Sequence, residues 1–242
     1  MIRSASRLIV ALDHPTLPDA MRLVRRLRGT VECVKIGSVL FTSAGPTAVQ
    51  RMQALGLKVF LDLKFHDIPS TVEKSCRAAT RHGAWMLTLH ASGGRQMLEA
   101  AVAGAADEAA KLKRRRPLLV GVTVLTHVEA RDPRQLQRRV LELTQDAKRA
   151  GLDGVVASAQ EAEMIRKATG WSFVIVCPGI RPSATGTGGR AKRDGTDQAR
   201  IATPGEAVAR GASYLVVGRP ITEADDPPGI VQQLLNDMEV SR

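Results

Sequence analysis

Short apolar segments alternate with longer amphipathic segments along almost the entire chain. The apolar segments are rich in Val, Ile and Leu and span residues 7–13, 31–37, 58–63, 85–90, 118–125, 153–157, 173–177 and 214–218. Segments that are apolar at nearly every position are typical of parallel strands, because helices cover both faces of such a sheet. The sequence therefore predicts eight parallel strands.

The segments between these strands repeat their apolar residues every three or four positions, which predicts amphipathic helices. The predicted helices span residues 18–27, 47–55, 70–81, 94–112, 133–150, 159–169, 204–210 and 228–238. Eight strand–helix units in 242 residues favour an α/β fold, a single (β/α)8 TIM barrel that occupies residues 1–242 as one domain. An open doubly wound sheet is the alternative, but it uses fewer strands and carries a glycine-rich turn after the first strand. The first strand here is followed by Asp13-His14-Pro15 instead.

The longest segment without periodicity follows the seventh predicted strand, at about residues 181–198. It is rich in Gly, Thr, Ser and basic residues. Long irregular connections in compact domains are usually functional. We therefore expect a mobile loop that covers a binding site.

The chain is strongly basic, with 35 Lys and Arg residues against 24 Asp and Glu residues and a net charge of +11. Such a balance fits either a nucleic acid or a small anionic substrate. Aromatic residues make up only 3% of the chain, so side chains on which bases could stack are scarce. The charge therefore favours an anionic substrate at least as much as a nucleic-acid partner.

The sequence contains no apolar run of the roughly 18 residues that a membrane span needs. The first apolar segment is too short for the core of a signal peptide and has no cleavage site after it. We therefore expect a cytoplasmic protein that does not contact a membrane. The cysteines Cys33, Cys76 and Cys177 form no C-x-x-C motif, which predicts buried thiols rather than a disulfide framework or a zinc site.

Polar side chains are concentrated where the predicted strands end. In a (β/α)8 barrel these ends meet on one face, and the chemistry takes place there. Lys35 and Asp62 stand inside apolar strands, where an unpaired charge is costly to bury, so we expect a functional cluster that pairs them. The polar or glycine residues at the strand ends are Asp13, Lys35, Asp62, Lys64, His66, Asp67, His90, Thr123, Thr126, His127, Ser158, Arg181, Gly218 and Arg219.

The third strand carries the densest group of charges, Asp62-Leu63-Lys64-Phe65-His66-Asp67. Alternate residues of a strand face the same side, so Asp62 and Lys64 share the barrel mouth with Lys35 of the second strand. Carboxylates beside a lysine favour its protonated form, and a protonated lysine can deliver a proton to a carbanion. A purely structural network of ion pairs is the alternative, which the additional acid Asp67 disfavours.

The last predicted strand ends in Gly218-Arg219, at a position where barrels often bind phosphate. Glycine permits close approach of the backbone to a phosphate, and arginine can bind one through two hydrogen bonds. Gln198, at the far end of the long irregular segment, is a further candidate for binding the same phosphate.

Taken together, these segments resemble the orotidine 5'-phosphate decarboxylase family. The resemblance runs from Ile9 to about Pro227 and is centred on Asp62-x-Lys64-x-x-Asp67-Ile68-Pro69. The other matching segments are residues 11–13, 34–37, 90–94, 122–126, 154–158, 178–181 and 217–220. Related barrels that act on sugar phosphates carry a similar D-x-K-x-x-D motif, so specificity comes from the whole set of segments.

The resemblance implies decarboxylation of orotidine 5'-monophosphate to UMP, the last step of de novo pyrimidine synthesis, without a metal or an organic cofactor. It implies a homodimer in which Asp67 reaches the active site of the other subunit. The implied catalytic residues are Lys64, which protonates C6 of the pyrimidine, and Asp62, Lys35 and Asp67, which complete the charged array. The implied substrate-binding residues are Asp13, Lys35, Asp62, Lys64, Phe65, His66, Asp67, Ile68, Pro69, Ser70, Thr71, Thr126, Arg181, Gln198, Gly218 and Arg219.

The resemblance also implies which part of the nucleotide each residue contacts. Asp13 and Lys35 are expected at the ribose hydroxyls, and Thr126 is expected to form a hydrogen bond with the pyrimidine. The residues expected around the phosphate are Arg181, Gln198, Gly218 and Arg219.

Two other functions remain open. A metal-dependent sugar-phosphate decarboxylase or aldolase of the same barrel superfamily would share Asp62, Lys64 and Asp67. It would be expected to use a carboxylate ligand at the end of the second strand, where this chain has Lys35. A basic nucleic-acid-binding protein would account for the net charge and would bind DNA with strong salt dependence. That function leaves the charges inside the strands unexplained.

Overall fold

In the computed structural model, eight parallel strands close into a barrel in the order β1 to β8. The structure describes residues 4–126, 132–183 and 200–239. The strands are β1 Leu8–Ala11, β2 Cys33–Gly37, β3 Lys58–Phe65, β4 Met86–His90, β5 Leu118–Val122, β6 Gly154–Val156, β7 Val174–Cys177 and β8 Tyr214–Val217. The prediction of a (β/α)8 barrel is therefore confirmed.

Helices connect the strands and surround the barrel. They are α1 Ser4–Arg7, α2 Leu17–Arg26, α3 Ser38–Ala44, α4 Pro46–Ala54, α5 Pro69–Arg81, α6 Arg95–Lys111, α7 Pro133–Arg149, α8 Ala159–Thr169, α9 Pro204–Ala209, α10 Arg219–Thr222 and α11 Pro227–Glu239, with a short 3-10 turn at Ala91–Gly93. Several begin with a proline in the first turn, where the missing N–H would have no helical partner. Within the described ranges, no helix is both long enough and apolar enough to cross a membrane.

The sequence pattern places the eight predicted helices within one residue of their observed ends. It does not predict α1, α3 and α10, which are four to seven residues long and lie next to β1, β2 and β8. The strand ends differ more. β3 extends to Phe65 rather than ending at residue 63, and β5 ends at Val122 rather than at residue 125.

Side chains alternate along each strand and so form two apolar layers. The inward-facing residues that fill the barrel are Ile9, Ala11, Cys33, Phe60, Met86, Val120, Val176, Tyr214 and Val216. Their neighbours along the chain, such as Val10, Val34 and Leu61, face outward and pack against the helices. Because helices cover the outer face, the strands are apolar on both sides, as the sequence pattern predicts.

The same alternation determines which side chains reach the mouth of the barrel. Lys35 follows Cys33 by two positions, and Asp62 follows Phe60 by two positions, so both charged residues continue the inward-facing rows. The strand register pairs Lys35 with Phe60 and Gly37 with Asp62. The two charges therefore lie on neighbouring strands, just above the apolar filling of the barrel.

All three cysteines are free thiols in buried positions, as the sequence predicts. Burial raises the pKa of Cys33 to about 11 and the pKa values of Cys76 and Cys177 to about 12. These thiols remain protonated at neutral pH and pack as small apolar groups.

A buried arginine joins two loops at the end of the barrel where the strands begin, opposite the cavity. The Arg166 side chain on α8 is 8% exposed. Its guanidinium donates to the carbonyls of Gly170 and Phe173, which lie between α8 and β7. It also donates to the Gly211 carbonyl and to the Ser213 hydroxyl, between α9 and β8. Arg166 therefore stabilises the entry of two adjacent strands into the barrel.

We expect Arg166→Met to lower the free energy of unfolding by about 2–4 kcal/mol, because several buried acceptors lose a charged donor. Urea denaturation followed by circular dichroism measures this change. Lys167→Met is the matched control on the same helix, since Lys167 is exposed and pairs with Glu163 on the surface. If the two variants lose the same free energy of unfolding, Arg166 does not stabilise the fold through its buried contacts with the two loops.

Candidate active site

Four charged side chains form a continuous chain of ion pairs at the mouth of the barrel. The Nζ atom of Lys35 lies 3.0 Å from Oδ1 of Asp13 and 3.4 Å from Oδ2 of Asp62. The Nζ atom of Lys64 lies 2.9 Å from Oδ1 of Asp62. The structure therefore brings Asp13, Lys35, Asp62 and Lys64 together, in alternating order of charge.

The burial of these side chains decreases from the centre of the array to its ends. The side chains of Lys35 and Asp62 are 11% and 12% exposed, whereas those of Lys64 and Asp13 are 38% and 54% exposed. The inner pair is thus shielded from water, which strengthens its attraction. The Lys64 ammonium is held by Asp62 and is still accessible to a bound molecule.

Two opposing effects act on the Asp62 carboxyl. Burial acts to raise its pKa, but the charges of Lys35 and Lys64, with hydrogen bonds from Lys64 and Thr88, outweigh burial and place the pKa below its usual value. Asp62 is therefore ionised at neutral pH and provides the negative charge that holds both lysines.

The backbone of β3 departs from a regular strand at Lys64. Leu61 pairs with Leu87 of β4 and Phe65 pairs with Leu89, so four steps along β3 correspond to two steps along β4. Lys64 has a φ angle of 51°, in the left-handed region that residues other than glycine rarely adopt. Such an irregularity re-aims side chains next to active sites. Here it directs the Lys64 ammonium back toward Asp62.

Thr88 stabilises this irregular backbone. Its hydroxyl oxygen accepts the Lys64 N–H at 2.8 Å, and its O–H donates to Oδ1 of Asp62 at 3.0 Å. Thr88 is 1% exposed and lies between Leu87 and Leu89 on β4. Its role was not predicted from the sequence. The available signal was a hydroxyl two positions after the inward-facing Met86, inside an otherwise apolar strand.

Gly37 leaves space for the Lys35–Asp13 ion pair. A Cβ atom at this position would lie 2.9 Å from Oδ1 of Asp13 and 3.0 Å from Nζ of Lys35. Contacts this short would displace the charged groups, so the end of β2 requires a residue without a side chain.

A cavity of about 570 Å³ opens above this array, within the usual range of small-molecule sites. Its wall contains the four charged residues already described and, from the later strands, Thr126, Arg181, Gly218 and Arg219. Inward-facing apolar residues complete it, among them Ala11, Phe60, Val122, Val156 and Val216. The wall also includes Leu125, Ile201, Thr222 and Glu223, which were not predicted from the sequence.

The rest of the predicted site residues do not line this cavity. Phe65 is partly buried, and the six residues 66–71 are exposed beyond the end of β3. The rings of His66 and His90 lie 5.1 Å apart. Burial, the neighbouring His66 and Lys64 lower the pKa of His90, against a smaller opposing effect of Asp62. Gln198 and His127 lie outside the described residues, as does most of the predicted loop.

Comparisons with known proteins place the chain in a family. A protein-family profile described as "Orotidine 5'-phosphate decarboxylase / HUMPS family" matches residues 6–234. The chain belongs to this family. The family resemblance found in the sequence motifs is thereby confirmed.

Individual relatives match over nearly their whole length. Orotidine 5'-phosphate decarboxylase from Moorella thermoacetica is 45% identical, over 99% of this chain and 96% of the relative. The protein of the same name from Nitrosococcus oceani is 46% identical, over 92% and 93% of the two chains. The crystal structure of orotidine 5'-phosphate decarboxylase from Lactobacillus acidophilus matches with a TM-score of 0.81 at 33% identity, covering 96% of this chain and 99% of that chain.

We expect Asp62→Asn to lower the free energy of unfolding by about 3 kcal/mol at pH 7, because two lysines lose their shared buried counter-charge. Since the folded-state pKa of Asp62 lies below its usual value of 3.8, its contribution is fully present above pH 3.8 and is lost as the pH falls through the folded-state pKa. Urea denaturation of both proteins at a series of pH values measures the difference.

The control for this experiment is Asp107→Asn, because Asp107 is exposed and pairs with Arg77 on the surface. The free-energy difference between wild type and Asp62→Asn should narrow in acid, whereas Asp107→Asn should match wild type throughout. A difference for Asp62→Asn that is independent of pH would show that the carboxylate charge does not stabilise the array.

Proposed function

We propose that the protein decarboxylates orotidine 5'-monophosphate to UMP and CO2, the last step of de novo pyrimidine synthesis. One observation carries the proposal. The Lys64 ammonium, held 2.9 Å from an ionised Asp62, faces a cavity whose wall also presents the cations Arg181 and Arg219. An acid that can protonate a carbanion and two groups that can bind a phosphate therefore share one cavity. The names of the relatives described above support the same reaction.

The chemistry requires stabilisation of a carbanion. When the bond between C6 and the carboxylate breaks, its electron pair stays on C6 and CO2 leaves. The Lys64 ammonium stabilises this negative charge as it develops and then transfers a proton to C6, which gives UMP. Asp62 holds the ammonium in place before the reaction, so little reorganisation is needed during it.

The remaining residues of the cavity bind the nucleotide. Asp13 and Lys35 contact the ribose hydroxyls, and Thr126 forms a hydrogen bond with the pyrimidine. Arg181 and Arg219, together with Gly218, bind the phosphate, and Gln198 is assigned to the same group from the sequence. The phosphate is remote from the bond that breaks, but its binding energy can be used to orient the reacting end.

A second copy of the chain completes the site in this proposal. Asp67 is exposed outside the cavity of its own chain, and its Oδ1 accepts the N–H of Ile68 at 2.6 Å. Ile68 is 64% exposed, which is unusual for a large apolar side chain and typical of a contact surface. We assign the exposed segment 66–71 to a homodimer interface, through which Asp67 enters the neighbouring active site.

The two alternative functions are less well supported. A metal-dependent sugar-phosphate enzyme would place a divalent cation among carboxylates, whereas here the Lys35 ammonium lies between Asp13 and Asp62. Among the described residues, no group of three or more His, Cys, Asp or Glu is arranged to hold a metal ion. A nucleic-acid-binding function gives no role to charges buried inside a barrel.

The decisive experiment mixes the purified protein with orotidine 5'-monophosphate in excess chelator and follows the loss of substrate absorbance. We expect conversion to UMP that does not depend on added metal. If the folded protein does not convert the substrate, the proposal is wrong, and metal-dependent activity on sugar phosphates is the next reaction to assay.

We expect Lys64→Ala to reduce kcat by at least about 10⁴-fold, because both the stabilising charge and the proton donor are lost. UMP binding should remain measurable by calorimetry, since the phosphate-binding groups are unchanged. Lys58→Ala is the matched control. Lys58 lies at the opposite end of the same strand and pairs with Glu32. Retained turnover in Lys64→Ala would remove Lys64 from its proposed role.

We expect Lys64→Ala and Asp67→Ala to be inactive alone and to regain activity when mixed. A mixed dimer has one site that contains both substitutions and one site that contains neither. If subunits exchange freely, half of the dimers are mixed and activity reaches about a quarter of the wild-type level. Mixing two preparations of the same variant is the control. If no activity returns although mass spectrometry detects mixed dimers, Asp67 does not act across the interface.

A further inference from the structure

A buried ion pair lies behind the cavity wall, outside the charged array. Arg200 and Glu161 are 39 residues apart in the chain, and their guanidinium and carboxylate groups are in direct contact. Their side chains are 9% and 5% exposed, so that no ion pair in the described part of the chain is more deeply buried on both sides. Neither residue lines the cavity.

Glu161 performs a second function at the start of α8. Its Oε2 accepts the Ser158 N–H at 2.8 Å, which forms a capping box, while its Oε1 accepts from Arg200. Glu206 forms the same type of capping box with Thr203 at the start of α9, yet it is exposed. Capping alone does not require burial, so the burial of Glu161 reflects its contact with Arg200.

Arg200 also contacts the loop after β5. Its Nη2 donates to the Leu125 carbonyl at 3.2 Å. Leu125 and the next residue, Thr126, both line the cavity. The guanidinium therefore links the start of α8 to the segment that carries the proposed pyrimidine contact.

The chain that follows Arg200 reaches the opposite side of the same wall. Ile201 lines the cavity, and the carbonyl of Ala202 accepts the Arg181 N–H at 3.0 Å. The Ala202 N–H in turn donates to the Gly179 carbonyl at 3.1 Å. Arg200 is therefore joined through the backbone to Ile201 and, through Ala202, to Arg181.

We infer that Arg200 is a positioning residue that holds the pyrimidine-side segment 125–126 and the phosphate-side residues Arg181 and Ile201 at a fixed separation. This inference rests on the proposed function, which assigns the nucleotide to this cavity. Stability alone does not explain the pair, because burying two charges is costly and apolar residues of similar size usually serve as well. The Nε atom of Arg200 even lacks a hydrogen-bond partner among the described residues.

The test substitutes Arg200 with Met, which keeps most of the volume and removes the charge. At a temperature well below unfolding, we expect Arg200→Met to weaken UMP binding by about 10- to 100-fold. The reason is that segment 125–126 shifts relative to Arg181 and Ile201. Calorimetric titration with UMP measures the affinity while the protein is fully folded. Differential scanning fluorimetry measures Tm, which should fall because Glu161 loses its buried counter-charge. Arg200→Lys keeps the charge but cannot contact both Glu161 and the Leu125 carbonyl, so its affinity should be intermediate.

Glu206→Gln is the matched control, because it alters an equivalent helix cap that has no contact with Arg200. Its UMP affinity should equal that of wild type. A lower Tm with unchanged UMP affinity in Arg200→Met would overturn the inference and leave Arg200 a stabilising residue only. If Arg200→Met does not fold, Glu161→Gln provides the same comparison, since it removes the charge that holds Arg200.

A double substitution tests the route through Thr126. Thr126→Ala should weaken UMP binding less in the Arg200→Met background than in wild type, because that contact is already misplaced. Additive effects of the two substitutions would contradict the inference. If the wild-type protein converts orotidine 5'-monophosphate and Arg200→Met binds UMP normally, only the role of Arg200 is refuted. A wild-type protein without that activity refutes the proposed function itself.

Discussion

The candidate site depends on one carboxylate, that of Asp62. It is the only group in the array that contacts two cations, and it lies at the boundary between the apolar interior of the barrel and the cavity. A buried carboxylate without partners would take up a proton. The charges of Lys35 and Lys64 and the hydroxyl of Thr88 keep Asp62 ionised instead. The position of the Lys64 ammonium, and hence the proposed chemistry, follows from that ionised state.

The surrounding structure is arranged to preserve this contact at some cost. Lys64 adopts a left-handed backbone conformation that is unfavourable for a lysine, and β3 loses its regular pairing with β4 there. Thr88 offsets the cost by accepting the Lys64 N–H and donating to Asp62. Gly37 offsets it on the other side by leaving room for Lys35. Irregular backbone and a missing side chain are therefore part of the site rather than imperfections of the barrel.

The two ends of the barrel use buried arginines in different ways. Arg166 binds backbone carbonyls of two loops at the end where the strands begin, far from the cavity, and so stabilises the fold. Arg200 binds one carboxylate and one carbonyl at the end where the strands finish, directly behind the cavity wall. This division matches the general separation in such barrels between a stabilising face and a functional face.

The sequence by itself determined the barrel, the two apolar layers and the identity of most charged residues at its mouth. It could do so because strand and helix periodicities are local properties, and because parallel strands bring residues such as Asp13, Lys35 and Asp62 to one face. Only the tertiary structure decided which charges touch. The left-handed Lys64, the role of Thr88 and the pairing of Arg200 with Glu161 depend on contacts between residues 24 to 39 positions apart, which no local pattern encodes. It also decided that residues 66–71 turn away from their own cavity, because β3 ends there and the chain enters α5 on the outside of the barrel.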